Sequence, residues 1–184
     1  MLRSGMELSD HIKVFDDALS AARCQALIDR FEASLDHVSS ERDAGHSFAQ
    51  LDVTQHWPDE HKILAAIFVD HFNRYQAALK AQFWPPRFAL EHVRLKRYLP
   101  DGRDEFPLHV DVMGQEAARR FMTAFIYLNR PDGGETVFPN LDIAVAPAPG
   151  KLLAFPPLWL FPHAGLPPRG NPKYILHTYL CYPS

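Results

Sequence analysis

A histidine and an aspartate separated by one residue, His109 and Asp111, are the first pair in this sequence that could bind a metal ion. The chain has 10 histidines and 22 acidic residues among 184, so chance alone gives roughly one His-x-Asp or His-x-Glu. The pair by itself is therefore no evidence of a site. If residues 107–112 are extended, however, both side chains point to the same face, because side chains alternate along a strand.

A metal centre needs at least a third ligand, and the stretch FPHAG offers His163 on a later predicted strand. Two histidines and one carboxylate form the facial triad of non-haem Fe(II) oxygenases, in which three coordination positions stay open. A structural zinc site has a closed shell, usually with cysteines, and Cys24 and Cys181 are not spaced for one. The residues therefore favour an open metal site.

Lys173 begins the apolar stretch KYILHTYL, ten residues after His163. Taken alone, a lysine in this position indicates a solvated strand end. Beside a metal at His163, its ammonium could instead bind the far carboxylate of a dicarboxylate co-substrate. His177 shares the face of Lys173 by the period-two rule, and the sequence leaves open whether it lines a pocket or is a hydrogen-bonded core histidine.

The composition is that of an ordinary globular chain, with 47% apolar residues and a net charge of −3. No basic stripe points to nucleic acid, and no apolar run is long enough to span a membrane. The N-terminus lacks the apolar core of a signal peptide, and two cysteines make no disulfide framework. We therefore expect a cytoplasmic protein that binds neither nucleic acid nor membranes, in an oligomeric state that the sequence leaves open.

Residues 1–86 are expected to be mainly helical. Ser20 can cap a helix over AARCQALIDRFEASL, whose apolar residues at 24, 27, 28, 31 and 35 share one face. A second helix is predicted from Pro58 to Phe83, with an apolar stripe at 63, 64, 67, 68, 72, 75 and 79. The polar stretch SSERDAGHSFAQLDVTQ between the helices predicts a loop. Histidines in this half are expected on the surface, and those of the loop, His46 and His56, could cover a site.

Residues 87–184 change to short alternating or apolar runs, separated by turn signals such as PDGG (131–134) and PAPG (147–150). Such runs predict a sandwich or small barrel. We therefore expect one α+β domain over 1–184, with a jelly-roll core at 87–184 and the helices packed against it. On its first strand Arg94, Lys96 and Tyr98 share one face, which lines a pocket or faces solvent.

Residues 98–182 resemble the catalytic core of the Fe(II)/2-oxoglutarate-dependent dioxygenases, in the prolyl 4-hydroxylase-like branch. The resemblance runs through RYLPDGRDEFPLHVD, FIYLNRPDGGETVFP, GKLLAFPP and FPHAGLPPRGNPKYILHTYL. It implies a double-stranded β-helix (jelly-roll) fold. It implies that the iron ligands are His109, Asp111 and His163, and that Lys173 binds the C5 carboxylate of 2-oxoglutarate. Tyr98 and Tyr127 are implied as further 2-oxoglutarate contacts.

The implied activity is hydroxylation of an unactivated C–H bond, with conversion of 2-oxoglutarate and O2 to succinate and CO2. Fe(II) is the implied metal, with ascorbate as an optional further cofactor. Asp111 stands where halogenating members of the family have a small residue, so hydroxylation is implied. The expected substrate is a small molecule or a short peptide, such as an amino-acid-like compound or a prolyl residue. Arg119 and Arg120 form a solvated strand end or bind a carboxylate-bearing substrate.

Two other functions fit parts of this pattern. One is a non-catalytic jelly-roll module that binds a ligand or partner. The other is a cupin-like metalloenzyme that does not use 2-oxoglutarate. The complete set of His109, Asp111, His163 and Lys173 argues against the first. Lys173 and Tyr98 argue against the second, because such an enzyme needs no clamp for a dicarboxylate.

Overall fold

The computed structural model describes residues 5–42, 47–100 and 104–183. Its helices are α1 (Ala21–Glu32), α2 (Val53–His56) and α3 (Pro58–Leu79), with short 3₁₀-helices at Leu8–His11, Leu35–His37, Gln115–Ala117 and Pro139–Leu141. The strands are β1 (Lys13–Phe15), β2 (Ser39–Arg42), β3 (Ser47–Asp52), β4 (Ala89–Leu90), β5 (Arg94–Tyr98), β6 (Phe106–His109), β7 (Arg120–Tyr127), β8 (Asp132–Gly133), β9 (Thr136–Phe138), β10 (Ile143–Val145), β11 (Leu152–Phe155), β12 (His163–Gly165), β13 (Pro168–Arg169) and β14 (Lys173–Cys181).

Two antiparallel sheets form the core of the fold. The major sheet has the order β1-β11-β7-β14-β5-β3-β2, with β4 added beside β14, and the minor sheet has the order β10-β9-β12-β6. Aromatic residues such as Phe138 and Phe155 fill the space between the sheets, and α1 and α3 cover the other face of the major sheet with a second apolar cluster. The predicted α+β jelly-roll class with helices packed against it is confirmed.

The two long helices begin where the sequence predicts and end earlier. Ser20 caps α1, because its Oγ accepts a hydrogen bond from the backbone N–H of Arg23 at 3.2 Å. Leu35 lies beyond the end of α1 and is half exposed, so its place on the buried face is wrong. α3 ends at Leu79 because Lys80 adopts the left-handed conformation that commonly terminates a helix. Ile63 on the predicted stripe is also half exposed.

The loop predicted between the helices is instead a hairpin at the edge of the major sheet. Its strand β3 pairs with β5 and buries Phe48, Ala49 and Leu51. Pairing with a strand over 40 residues away overrides the polar local composition, as is common for strands. His46 lies outside the described residues. His56 stacks on the ring of His37, with centroids 4.5 Å apart.

The position of His71 also differs from the prediction, since this residue was expected at the surface and is buried in α3. Its Nδ1 donates to the carbonyl of Ile67 at 2.8 Å, and its Nε2 accepts from Arg74 at 2.9 Å. Both ring nitrogens are therefore hydrogen-bonded within the helix, so the buried ring leaves no polar atom without a partner.

The extent of the domain, residues 1–184 with a division near 86, stays a prediction. In the part of the chain that the structure describes, no helix combines the length and apolar character needed to cross a membrane.

Candidate active site

The minor sheet brings together the three residues predicted as metal ligands. His109 ends β6, His163 begins β12, and the two are directly opposite each other in the antiparallel pair. Asp111 follows in the bend after β6, so the predicted strand over 107–112 ends earlier than expected. Its two carboxylate oxygens lie 3.3 Å from His109 Nε2 and 3.9 Å from His163 Nε2. One ligand atom from each residue lies within 4.8 Å of the others, which is compact enough for a single ion.

Backbone carbonyls orient both imidazole rings towards this point. His109 Nδ1 lies 2.7 Å from the carbonyl oxygen of Pro107, and His163 Nδ1 lies 3.1 Å from that of Phe161. A carbonyl oxygen only accepts, so each Nδ1 carries a proton and donates it. In the neutral ring the unprotonated Nε2 then faces Asp111. The lone pairs of both Nε2 atoms and of the Asp111 carboxylate thus point to one position, with no proton between them. The three residues therefore fit a divalent metal ion at that position.

The electrostatics of the site favour the protonation states that a metal requires. Burial lowers the pKa of His163 to about 4, so its ring is neutral at pH 7. Burial alone would raise the pKa of Asp111, but its contact with His109 and the imidazoles of His163 and His177 hold that pKa well below the usual range. A neutral imidazole and an ionised carboxylate are the forms that bind metal.

A cavity opens from these residues into the space between the sheets. Lys173 stands at its wall and is only 3% exposed, so it is not a solvated strand end. Its Nζ donates to the carbonyl of Gly134 at 3.2 Å and lies 4.6 Å from the ring centroid of Tyr98. Burial lowers the pKa of Lys173 to about 8, partly offset by the carboxylate of Glu135. The lysine is therefore largely charged at pH 7 and held by neutral groups.

Tyr98 and Tyr127 line the same cavity, as the sequence predicts for co-substrate contacts. The Tyr127 hydroxyl donates to Thr136 Oγ1 at 2.7 Å. Burial raises the pKa of both phenols well above the ordinary value, so each keeps its proton and remains a neutral hydrogen-bonding group. Thr136 is a cavity residue that the sequence did not reveal, since nothing in ETVFP marks it. Tyr179 was also missed, although it shares the face of Lys173 by the period-two rule.

The polar row on β5 lines cavities and does not simply face solvent. Lys96 and Tyr98 border the main cavity, and Arg94 borders a second cavity beside it. His177, which the sequence left open, lines both cavities and also hydrogen-bonds Thr123 Oγ1 through Nε2 at 3.0 Å. Burial lowers its pKa well below the ordinary histidine value, so the ring is neutral.

The two arginines at the start of β7, Arg119 just before it and Arg120 as its first residue, differ in environment. Arg119 is exposed and donates from Nε to the carbonyl of Tyr182 at 2.8 Å, as expected at a solvated strand end. Arg120 instead forms a two-point ion pair with Glu91, at 2.8 and 2.9 Å, and lies over the Tyr179 ring at 4.0 Å. The prediction of a solvated strand end is therefore wrong for Arg120, which borders the second cavity.

Residues 93–181 match the family model described as the 2OG-Fe(II) oxygenase superfamily. No curated protein matches the chain significantly. Among solved structures, the 2-oxoglutarate complex of a viral collagen prolyl hydroxylase from Paramecium bursaria Chlorella virus-1 has a TM-score of 0.72 at 24% identity, covering 92% of this chain and 95% of that chain. A Pseudomonas putida prolyl-4-hydroxylase has a TM-score of 0.69 at 20% identity, with 95% and 94% covered.

A third similar structure is a prolyl hydroxylase from Trichoplax adhaerens in complex with a hypoxia-inducible-factor peptide, with a TM-score of 0.71 at 14% identity, covering 94% of this chain and 84% of that chain. At such identities the structures show a shared fold. The family match spans β5 to β14 and so includes the His-x-Asp pair, the later histidine and the lysine of the last strand. The match to the 2OG-Fe(II) oxygenase superfamily thus covers 89 of the 184 residues, just under half of the chain.

Proposed function

We propose that this Fe(II)- and 2-oxoglutarate-dependent hydroxylase binds its iron through His109, Asp111 and His163. The observation that carries the proposal is the cross-strand pairing of the two histidines, whose Nε2 atoms face one carboxylate. Two histidines and one carboxylate leave three positions open for co-substrate and O2. When bound, Fe(II) supplies the activation of O2 that is coupled to decarboxylation of 2-oxoglutarate.

The far end of 2-oxoglutarate binds at Lys173 in this proposal. The Lys173 ammonium faces the C5 carboxylate, and the Tyr98 hydroxyl donates to the same anion. Tyr127 contacts this anion by turning its hydroxyl proton away from Thr136 Oγ1. The Lys173 ammonium, whose described hydrogen bonds go to the carbonyls of Gly134 and Leu166, gains a contacting anion when the co-substrate enters. Walls formed by Phe125 and Ile175 exclude water from the reacting centre.

The overall reaction consumes one C–H bond of the substrate, 2-oxoglutarate and O2, and it yields the alcohol, succinate and CO2. One oxygen atom of O2 enters the new hydroxyl, and the other enters succinate. We propose as substrates the classes expected from the sequence, a small amino-acid-like molecule or a prolyl residue of a short peptide. We further propose that residues 1–184 act as one domain, since β1, β2 and β3 from the first part of the chain complete the major sheet.

The two alternative functions fit the cavity less well. A binding module has no use for convergent metal-ligand atoms at 3.3 and 3.9 Å. A cupin-like enzyme without 2-oxoglutarate has no use for a buried lysine at the cavity wall, which is costly to bury without an anion.

Turnover of 2-oxoglutarate tests the proposal. We expect metal-free protein supplied with Fe(II), 2-oxoglutarate, O2 and pools of free amino acids and prolyl peptides to form succinate and CO2 in equal amounts. Asp111→Ala should abolish this, because it removes the anionic ligand. Undiminished succinate formation by Asp111→Ala would contradict the ligand assignment. Failure of folded wild-type protein to bind either iron or 2-oxoglutarate would favour the binding module.

A further inference from the structure

A second cavity adjoins the metal-ligand cavity and shares three wall residues with it, Lys96, His177 and Tyr179. We refer to it as the outer chamber. Its remaining walls come from the edge hairpin and from the start of β7, and it opens towards solvent. Because the two cavities share these walls, a molecule bound in the outer chamber can reach the metal-ligand residues.

The outer chamber has an excess of positive charge. Arg94, Lys96 and Arg120 border it, and among the described residues Glu41 is the one carboxylate on its wall. Arg120 is already paired with Glu91 behind the wall. Arg94 and Lys96 thus remain available to bind an anion that enters the outer chamber.

Lys96 is the most deeply buried of these three cations, with only 9% of its surface exposed. In the described part of the chain no carboxylate lies within 4.0 Å of its Nζ, which instead lies 4.4 Å from the ring centroid of Phe48 and 5.7 Å from that of Phe106. Burial lowers the pKa of Lys96 to about 8. The carboxylates of Asp111 and Glu41 offset part of this effect but form no ion pair with the ammonium. A buried ammonium without a contacting anion destabilises a fold, so a bound anion is the natural counterpart.

Arg94 lies on the same strand face and is partly buried, with the carboxylates of Asp52 and Glu91 close enough to act on it electrostatically. Its guanidinium borders the outer chamber, and no described carboxylate forms an ion pair with it. An arginine fork matches a carboxylate in two-point geometry, and a lysine two residues away adds a point charge. The pair therefore has the chemistry of a carboxylate site.

This site is separate from the one assigned to 2-oxoglutarate. Lys173 is opposite Tyr98 in the sheet, whereas His177 is opposite Arg94. Four residues of strand separate these pairs, which amounts to about 13 Å. One dicarboxylate chelated to the metal and clamped at Lys173 does not also occupy the Arg94 end.

We propose that Arg94 and Lys96 bind a carboxylate of the substrate, so that the hydroxylated compound is a small free carboxylic acid and not an internal residue of a peptide. Glu41, which accepts a hydrogen bond from Gln50 at 2.9 Å, is placed to receive an ammonium if the acid is an amino acid. The inference rests on the proposed function, because the acid is hydroxylated at the C–H bond that this anchoring presents to the metal.

The test compares acids with their carboxamides. Each of the twenty proteinogenic L-amino acids, as free acid and as carboxamide, is titrated by calorimetry into anaerobic protein loaded with Fe(II) and 2-oxoglutarate. At least one acid should bind at least about 10-fold more tightly than its amide, because the amide lacks the charge that the cations recognise. In Lys96→Met and in Arg94→Met that ratio should fall towards one. Lys62→Met, which removes an exposed lysine, should keep the wild-type ratio.

Three results would overturn the inference. In the first, no acid binds wild-type protein more tightly than its amide. In the second, the ratio of acid to amide affinity is unchanged in both Lys96→Met and Arg94→Met. In the third, a C-terminally amidated prolyl peptide binds more tightly than every acid. If Lys96→Met melts well below wild type, Arg94→Met carries the comparison. Binding of 2-oxoglutarate in the same samples distinguishes failure of the carboxylate-site inference from failure of the proposed function. Protein that binds it without discriminating acids refutes only the carboxylate site, and protein that does not bind it refutes the proposed function.

Discussion

His163→Ala is expected to lose iron binding and turnover together. Removal of groups that merely orient a metal ligand already costs about 10–100-fold in affinity, so loss of a ligand should exceed about 100-fold. The neutral ring of His163 contributes its Nε2 directly to the ligand set, and no other described histidine is placed to replace it. Equilibrium dialysis with Fe(II) under anaerobic conditions measures the change, and succinate formation measures its consequence.

His71→Ala is the matched control for this variant. His71 is 6% exposed and His163 is 5% exposed, so each substitution removes a buried imidazole. His71 is satisfied within α3 by Ile67 and Arg74. Its removal should lower the melting temperature and leave the Fe(II) affinity within about twofold. Equal iron affinities in wild type and in a folded His163→Ala would show that the metal lies elsewhere.

Lys173→Met is expected to raise the Kd for 2-oxoglutarate by roughly 30-fold or more, because loss of one partner of a buried ion pair costs about 2–5 kcal/mol. The substitution keeps the length and apolar stem of the side chain and removes the ammonium, so the cavity keeps its shape. Titration of the Fe(II)-loaded protein with 2-oxoglutarate gives the Kd. Lys151→Met, at a partly exposed lysine that hydrogen-bonds the carbonyl of Ala146, should leave the Kd unchanged.

The same lysine predicts a pH dependence with a definite sign. Its pKa is lowered to about 8, so the ammonium that binds 2-oxoglutarate is lost as the pH rises through that value. The Kd should therefore increase between pH 7 and 9, approaching about tenfold per pH unit at the upper end. Lys173→Arg stays charged throughout this range, and its Kd should not rise. A Kd that increases equally in wild type and Lys173→Arg would assign the titration to another group.

The sequence anticipated those parts of the site that depend on local spacing. Lys173 and His177 share one face of a single strand, so a period-two rule is enough to place them. His109 and Asp111 are two residues apart and lie together as predicted, although Asp111 is in the bend after β6. Ser20 likewise marked the start of α1 through a local hydrogen bond. In each case the deciding interaction involves residues close in the chain.

Features that depend on distant pairing were not predictable in this way. The hairpin β2–β3 forms because β3 pairs with β5, and its polar composition gave no sign of that. Arg120 is held by Glu91, 29 residues away. The register that sets His163 opposite His109 passes through an irregularity in the β6–β12 pair, which no local pattern encodes. Long-range register is fixed by the packing of whole faces, and sequence spacing alone does not determine it.

The measurement that tests the metal and co-substrate assignment most directly is an anaerobic titration of metal-free protein with Fe(II) and then 2-oxoglutarate, followed by visible absorption. Chelation of the keto acid to the iron gives a charge-transfer band. We expect the band to saturate at one Fe(II) per chain in wild type, to be absent in His163→Ala, and to require far more 2-oxoglutarate in Lys173→Met. A well-folded wild-type protein without the band, or His163→Ala with the wild-type band, would contradict the account.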